Sequence, residues 1–335
     1  MHPALYYTTE TGKKVKCLLC PHECIIANNE VGICKVRKNS NGRLFAETYG
    51  RVTALAVDPI EKKPLYHFLP GQGVLSIGSI GCNMACSFCQ NAHISQVTPG
   101  LSNSLMQYSA KEIIDQVIAL KQAIIAYTYN EPIVFYEFMM DCASLAKSKG
   151  IYNVMVSNGF INEKPLEELI RVIDAFNIDL KAFDNGFYKK ITHARLDPVL
   201  KSIQQIADSG KHMELTFLVI PDLNDDAVQF EKMIKWIADV CGEDQVLHLS
   251  RYFPHHNMHK SSTPLRTIEE LTKIARRKLN FVYPGNTGLT FDANTYCPEC
   301  NELLIERSVY EVKLHGLSEG KCNKCGVLIP GVLNF

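Results

Sequence analysis

Cysteine is the residue type in this chain whose number and spacing most strongly suggest chemistry. The 335 residues include 13 cysteines. Cysteines two or three residues apart in a reducing compartment are typical of metal ligands rather than disulfides. Cys142 and Cys241 stand alone in helix-like segments, and we expect them to pack as small core residues. The other eleven form three tight groups: Cys17, Cys20, Cys24 and Cys34; Cys82, Cys86 and Cys89; and Cys297, Cys300, Cys322 and Cys325.

The central group lies in Gly81–Asn91, GCNMACSFCQN, with the spacing Cys-x3-Cys-x2-Cys. A structural zinc site needs four protein ligands, and no fourth cysteine is near in sequence. Three thiolates on a four-iron four-sulfur (4Fe-4S) cluster would instead leave one iron free to bind another molecule. The spacing therefore favours an open cluster formed by Cys82, Cys86 and Cys89, with a zinc knuckle as the alternative.

The framework around these groups alternates short β-rich runs with amphipathic helical stretches. The predicted strands are Val74–Ser79, Ala123–Tyr127, Tyr152–Ser157, Ala175–Leu180, His212–Ile220, Gln245–Leu249 and Asn280–Tyr283. The predicted helices are Ala110–Gln122, Pro132–Ser148, Glu163–Ile173, Pro198–Ser209, Ala227–Val240 and Ile268–Leu279.

Repeated strand-then-helix order requires parallel strands with right-handed crossovers. We therefore predict an α/β fold with a full or partial (β/α) barrel, in which chemistry gathers in the loops after the strands. A doubly wound open sheet is the alternative, but no glycine-rich dinucleotide fingerprint follows the first strand. We expect three domains: a Cys-rich module with its lead-in at 1–70, the barrel at 71–290, and a second Cys-rich module at 291–335.

The central loop resembles the motif of the radical S-adenosylmethionine (SAM) superfamily, Cys-x3-Cys-x-aromatic-Cys, and Phe88 fills the aromatic position. The resemblance implies a barrel of the radical SAM type. It also implies that Cys82, Cys86 and Cys89 hold a 4Fe-4S cluster whose open iron binds SAM, which one electron then cleaves to a 5′-deoxyadenosyl radical. Phe88 would lie beside the adenine of SAM, with core packing as the alternative.

Loops after later strands offer further candidates for binding SAM. The segment Tyr129-Asn130-Glu131 stands where the family usually has Gly-Gly-Glu. The resemblance therefore implies that Glu131, together with Asn130, holds the ammonium group of SAM. These residues could instead begin the next helix, with Pro132 in its first turn.

Two more pairs of polar residues follow predicted strands. Ser157 and Asn158, which precede a glycine, suit the ribose hydroxyls or the carboxylate of SAM, or an ordinary turn. Asp179 and Lys181 share one face of a strand, so they could contact SAM or form a structural ion pair. Substrate contacts are expected from residues after the sixth strand: His248, Ser250, Arg251 and Tyr252.

The order of the Cys-x3-Cys loop, the Asn158-Gly159 turn and the strand end Asp179-Leu180-Lys181 is similar to the pyruvate formate-lyase activating enzymes. Four further segments tighten the match and resemble the AmmeMemoRadiSam group of radical SAM proteins. The resemblance covers essentially the whole chain. It implies Ammecr-like and Memo-like partner proteins, whereas the label of activating enzyme rests on fold-level analogy. The segments are Cys17–Cys24 (CLLCPHEC), Asp58–His67 (DPIEKKPLYH), Thr128–Pro132 (TYNEP) and Asn294–Cys300 (NTYCPEC).

The outer cysteine groups have different spacings. Cys297 and Cys300 form one Cys-x2-Cys pair, Cys322 and Cys325 form another, and this pattern is typical of a closed structural zinc site, with iron as the alternative. The N-terminal group, Cys17, Cys20, Cys24 and Cys34, could close a zinc site or hold an auxiliary iron–sulfur cluster.

Charge and hydropathy exclude some classes of function. The 35 basic residues balance the 35 acidic ones, so no global field indicates nucleic acid. The N-terminus lacks the order of a secretory signal, and no apolar run approaches the roughly 20 residues that span a bilayer. We expect a cytoplasmic protein without membrane contact.

The sequence therefore predicts a radical SAM enzyme that needs an electron donor such as ferredoxin or flavodoxin. The radical would abstract hydrogen from a protein, as in glycyl-radical activation, or from another substrate. Modification of a nucleoside or RNA is the alternative reaction. A non-catalytic zinc-binding adaptor is the alternative of another class, and it predicts a colourless protein with three zinc ions.

Overall fold

The N-terminal part of the chain forms small antiparallel sheets. The computed structural model describes residues 2–97, 105–288, 291, 293–308 and 311–333. Strand β6 lies between β1 and β5, and β3 lies between β2 and β4. The strands are β1 (His2–Pro3), β2 (Tyr7–Thr9), β3 (Val15–Cys17), β4 (Ile25–Ile26), β5 (Arg37–Ser40), β6 (Arg43–Ala46) and β7 (Arg51–Val52).

An eight-stranded sheet forms the centre of the molecule, with its strands in the spatial order β16-β15-β14-β13-β12-β11-β9-β8. Every neighbouring pair is parallel except β8 and β9, which are antiparallel. The strands are β8 (Ala54–Pro59), β9 (Gly73–Gly78), β11 (Ile124–Tyr127), β12 (Tyr152–Ser157), β13 (Ala175–Asp179), β14 (His212–Val219), β15 (Val246–Arg251) and β16 (Val282–Gly285). Strand β10 (Met106–Gln107) pairs with β7 outside this sheet.

The helices connect successive parallel strands, as the sequence predicted. A 3₁₀ turn, Pro132–Phe135, precedes the third helix, and a π-helical turn, Tyr188–Thr192, follows the fifth. The helices are α1 (Ala92–Ser95), α2 (Ala110–Ala119), α3 (Tyr136–Ser148), α4 (Glu163–Val172), α5 (Asn185–Phe187), α6 (Leu196–Asp208), α7 (Ala227–Cys241) and α8 (Leu265–Ala275). None of them, in the described part of the chain, has both the length and the apolar character needed to cross a membrane.

The parallel strands follow one another in sequence order across the sheet, which confirms the predicted (β/α) barrel type of fold. Of the full and partial barrels that the sequence allowed, the structure has the partial one. Strands β8 and β16 are the two edges of the sheet, so the barrel is open. All seven predicted strands are present, with ends displaced by two residues or fewer. The helix predicted from Pro132 begins as a 3₁₀ turn, since Glu131 accepts the N–H of Ile133. Strand β8 was not predicted.

The lead-in before β9 closes the N-terminal end of the barrel with apolar side chains. Ile60, Leu65, Phe68 and Leu69 are buried in one cluster with residues of the first four parallel strands: Val74, Ile124, Ala126, Val154 and Ala175. Burial of these side chains stabilises the open barrel at the end opposite the loops that carry chemistry.

Glu214 in β14 anchors the lead-in to the sheet. One carboxylate oxygen accepts the N–H of His67 (2.7 Å) and lies 2.9 Å from His212 Nε2. The other accepts the N–H of Tyr66 (2.9 Å) and lies 2.6 Å from His248 Nε2. Burial alone would raise the pKa of Glu214, but the two histidines lower it well below its usual value. The carboxylate therefore stays charged and holds four partners.

The C-terminal module packs against the last strands of the barrel. Its strands form a three-stranded sheet, β17-β18-β19, and a small hairpin. Arg307 donates to the carbonyl oxygen of Tyr66 (2.7 Å), which ties the module to the lead-in. The strands are β17 (Thr295–Tyr296), β18 (Leu303–Ser308), β19 (Glu311–Leu314), β20 (Leu317–Ser318) and β21 (Lys321–Cys322).

Candidate functional site

The central cysteine loop leaves β9 at the C-terminal end of the sheet. Asn130, after β11, holds the start of this loop: its Oδ1 accepts the N–H of Ser79 (2.9 Å), and its Nδ2 donates to the carbonyl oxygen of Gly81 (2.9 Å). Gly81 has a φ of 85°, and a Cβ there would lie 2.7 Å from the carbonyl oxygen of Cys34. Both polar atoms of the Asn130 amide bind the loop, so Asn130 positions the cysteines. Its contact with SAM stays a prediction.

Segments distant in sequence fix the rest of the loop. The N–H of Ala85 donates to Thr192 (3.0 Å), and the N–H of Ser87 donates to Ile191 (3.1 Å). The carbonyl oxygen of Ser87 accepts the N–H of Asn257 (2.9 Å). Sequence reasoning missed these contacts, because backbone hydrogen bonds between loops leave no pattern in residue type.

Two of the three thiols of the loop lie beside groups that can donate to sulfur. The N–H of Met84 is 3.3 Å from Cys82 Sγ, and Nδ2 of Asn158 is 3.8 Å from the same atom. Cys89 Sγ lies 3.2 Å from the hydroxyl of Ser95. Burial raises the pKa of the Cys82 thiol. Metal binding must therefore displace the proton, as for other thiolate sites.

This donor set fits the cluster that its spacing predicted. Three thiols on one loop, with N–H donors at Cys82 and a hydroxyl at Cys89, match the environment of thiolate-bound iron. In addition, the buried hydroxyl of Ser87, between two of the cysteines, has no hydrogen-bond partner among the described residues. A buried polar atom of this kind calls for a partner that the protein itself does not supply.

Glu131 lies at the centre of the polar groups beside this loop. Its Oε1 accepts the hydroxyl of Ser157 (2.8 Å), and its Oε2 accepts the N–H of Asn158 (2.8 Å). Burial raises the pKa of Glu131 to about 7, although these hydrogen bonds oppose the rise. Asn158 Nδ2 also donates to Oδ1 of Asn83 (2.9 Å), the residue after Cys82. The structure thus brings together the predicted residues of three loops.

Asp179 and Lys181 form an ion pair of 2.9 Å at the end of β13. Burial opposes the charge of Lys181, but the neighbouring Asp179 and Cys86 outweigh it and raise the pKa of Lys181. Its Nζ lies 5.8 Å from the centroid of the Phe88 ring, which is buried and packs near Phe187. Asp179 and Lys181 therefore form the ion pair that was one of their two predicted roles. Phe88 packs in the core, which was one of its two predicted roles, and all three residues lie next to the cysteine loop.

The predicted substrate contacts after the sixth strand are placed differently. His248 is buried against Glu214, so the prediction that it faces the mouth of the barrel is wrong. In the register of β15 against β14, His248 lies opposite Thr216. Its side chain is therefore on the same face of the sheet as that of Glu214, which lies two residues before Thr216. Tyr252 is also buried and donates its hydroxyl to the carbonyl oxygen of Met258 (2.8 Å), which is a packing role.

The C-terminal cysteines converge on one point. Cys297 Sγ lies 3.5 Å from Cys325 Sγ, and Cys300 Sγ lies 3.6 Å from Cys322 Sγ. All four sulfur atoms lie within 4.8 Å of one another. This set can hold a metal ion in a closed site, since four thiolates leave no open position.

Comparison with known proteins agrees with this geometry. The family model for the radical SAM superfamily matches residues 76–237. The uncharacterized protein MJ0808 of Methanocaldococcus jannaschii is 40% identical, over 99% of this chain and 100% of its own length. The pyruvate formate-lyase-activating enzyme of Clostridium pasteurianum is 23% identical, over 59% of this chain and 85% of its own.

The fold has a solved counterpart. A radical SAM methyltransferase from Sphaerobacter thermophilus superposes with a TM-score of 0.53 at 14% identity, covering 68% of this chain and 70% of that one. The stretch matched by the family model begins in β9 and ends in α7. It therefore contains the cysteine loop and the loops that carry Glu131, Asn158 and Asp179. The chain belongs to the radical SAM superfamily.

Proposed function

We propose that this radical SAM enzyme acts on a protein and takes a hydrogen atom from a glycine, as a glycyl-radical activating enzyme does. The observation that carries the proposal is the meeting of the cysteine loop with Glu131 and Asn158 at one end of the barrel. Support for the substrate class comes from the relatives named as activating enzymes, which act on pyruvate formate-lyase, sulfopropanediol dehydratase and hydroxyproline dehydratase. These are matches at 23–27% identity.

Each residue of the site has a proposed role. Cys82, Cys86 and Cys89 hold the 4Fe-4S cluster, and Glu131 accepts the ammonium group of SAM. When bound, the cluster supplies the electron that cleaves the sulfonium carbon–sulfur bond of SAM, which releases methionine and gives a 5′-deoxyadenosyl radical. The polar groups of Ser157 and Asn158 keep Glu131 oriented toward the ligand.

Two more residues shape the proposed SAM site. Phe88 provides an apolar wall for the adenine, and the Lys181–Asp179 pair closes the site beside it. The buried ring and the paired charges exclude water from the place where a reactive radical would form.

The proposal includes partners and a setting. A ferredoxin or flavodoxin in the cytoplasm supplies the electron, and Ammecr-like and Memo-like proteins, which the AmmeMemoRadiSam resemblance implies, are the proposed companions. The module at 291–335 holds a structural zinc ion, because its four sulfur atoms are gathered as a tetrahedral zinc site requires. The proposed boundaries of the barrel are 71 and 290.

The test begins with cluster-loaded protein prepared without oxygen. With dithionite and SAM, the native protein should form 5′-deoxyadenosine, and the Cys86→Ala variant should not. Cys241→Ala is the matched control, because this cysteine lies in α7 and belongs to none of the three groups. If native protein with a full cluster never cleaves SAM, the proposed role of the site fails.

The substrate is tested separately. Candidate proteins that co-purify with the enzyme are incubated with it and SAM, and electron paramagnetic resonance (EPR) is recorded. A glycyl radical on the partner supports the proposal. Consumption of SAM that depends on RNA or a nucleoside, with no protein radical, contradicts it, and a colourless protein containing only zinc would instead identify an adaptor.

A further inference from the structure

The N-terminal cysteines line a cavity of their own. Cys17, Cys20, Cys24 and Cys34 all contribute to its wall, and the cavity measures about 20 Å³. Three of them come from β3 and the turn that follows it, whereas Cys34 comes from the loop before β5. Four thiols that surround one cavity are a complete ligand set for a metal group.

The distances between the sulfur atoms distinguish a zinc ion from an iron–sulfur cluster as the possible occupant of this cavity. Zinc binds thiolates at about 2.3 Å in a tetrahedron, so its four sulfur atoms lie about 3.8 Å apart. In the C-terminal group, two pairs of sulfur atoms lie 3.5 and 3.6 Å apart. Among the described residues this is the one group of three or more potential ligands whose atoms all lie within 4.8 Å of one another. No three of the N-terminal sulfur atoms meet this limit, so the group is not gathered as closely as a single zinc ion requires.

A cubane cluster requires a wider arrangement, because each thiolate binds a different iron atom. The three cysteines of the central loop provide an internal reference. They belong to the motif whose family uses a 4Fe-4S cluster, and they too are absent from the closely spaced group. In the spacing of its sulfur atoms, the N-terminal group therefore resembles the central cysteine loop and differs from the closely spaced C-terminal group.

The surroundings of the cavity suit an anionic occupant. Arg37, which lines it, is 2% exposed and pairs with Glu137 through its terminal nitrogens. Its Nε is a buried donor without a partner among the described residues. A thiolate or sulfide in the cavity would supply an acceptor, and hydrogen bonds to sulfur stabilise such clusters. His22 is not available as a replacement ligand through Nε2, which donates to the carbonyl oxygen of Asn83 (2.7 Å).

We propose that Cys17, Cys20, Cys24 and Cys34 hold a second 4Fe-4S cluster rather than zinc. Four thiolates close all its iron corners, so this cluster does not bind SAM. Asn83 lines the cavity and follows Cys82 directly, which places the second cluster beside the central loop. The proposal concerns metal content and does not depend on the substrate of the enzyme.

The experiment uses a full-length triple variant, Cys82→Ala/Cys86→Ala/Cys89→Ala, which leaves the N-terminal group intact. The variant is loaded without oxygen in the presence of iron, sulfide and zinc, and its metal and acid-labile sulfide are counted. We expect about four iron and about four sulfide per chain, together with about one zinc in the C-terminal group. After reduction, its EPR signal should not change when SAM is added.

Other outcomes overturn the proposal. Two zinc ions per chain without sulfide would identify a zinc site, and iron without sulfide would identify a mononuclear iron site. A cluster whose EPR signal responds to SAM would show an open iron corner. The reciprocal variant, with the four N-terminal cysteines changed to alanine, should lose about half of the native iron. Should that variant fail to fold, the counts on the triple variant still decide the matter.

Discussion

Glu131→Gln should weaken SAM binding while leaving the fold and the cluster in place. The amide can keep two of the three contacts of the carboxylate: its oxygen can accept the N–H of Asn158, and its nitrogen can donate to the hydroxyl of Ser157. The contact with the N–H of Ile133, at 3.2 Å, is lost. The buried N–H of Ile133 is then left without this acceptor, so the structural cost is about 1–3 kcal/mol.

The effect on SAM affinity is separate from this structural cost. Without the carboxylate, the ammonium group of SAM loses a charged acceptor. Hydrogen bonds to charged groups contribute about 1.5–3 kcal/mol. This corresponds to a dissociation constant raised about 10- to 150-fold. The measurement is a titration of the reduced, cluster-loaded variant with SAM, followed by EPR, with iron content determined on the same sample.

Glu214→Gln is the matched control, because Glu214 is also a buried glutamate but lies near the opposite end of the sheet. Its amide nitrogen would face the N–H of either Tyr66 or His67, which loses an acceptor at a cost of about 1–3 kcal/mol. We expect its melting temperature to fall by about 1–4 °C, with unchanged SAM affinity in the folded fraction. Unchanged SAM affinity in Glu131→Gln, or an equal loss in both variants, would refute the assignment.

Three further perturbations test other parts of the structure. Glu137→Gln leaves the buried Arg37 without its counter-ion, so urea unfolding should show a loss of about 3–5 kcal/mol; a loss below 1 kcal/mol would contradict a buried pair. Cys300→Ser should remove the zinc but not the iron, as metal analysis of the purified protein will show; loss of iron together with zinc would place iron at the C-terminal group. Asn158→Ala removes an amide directed at Cys82, so the midpoint potential of the central cluster should fall by about 20–60 mV in a redox titration. A rise in potential would mean that this amide does not stabilise the reduced cluster.

The amino-acid sequence determined the features that depend on neighbouring residues. Cys82, Cys86 and Cys89 lie within eight residues, so one loop carries all three whatever surrounds it. Likewise, the alternation of buried strands with amphipathic helices specified the parallel sheet and its order. Strand ends were predictable to within two residues, because hydrophobic periodicity is local.

Contacts between distant segments could not be obtained in this way. The Asn130 amide holds a loop some 50 residues earlier, and His248 turns to Glu214, which lies 34 residues before it. In both cases a polar residue in or just after a strand had several candidate roles, and only the tertiary structure decided among them.

The cysteine groups also show which features the sequence determines and which depend on the tertiary structure. Sequence spacing identified four ligands at each outer group but left zinc and iron–sulfur alternatives open for Cys17, Cys20, Cys24 and Cys34. The distances among sulfur atoms depend on how β3, its following turn and the loop before β5 pack together. Spacing along the chain determines which thiols can reach one another. Tertiary packing determines the distances between their sulfur atoms, and a zinc ion and a 4Fe-4S cluster require different distances.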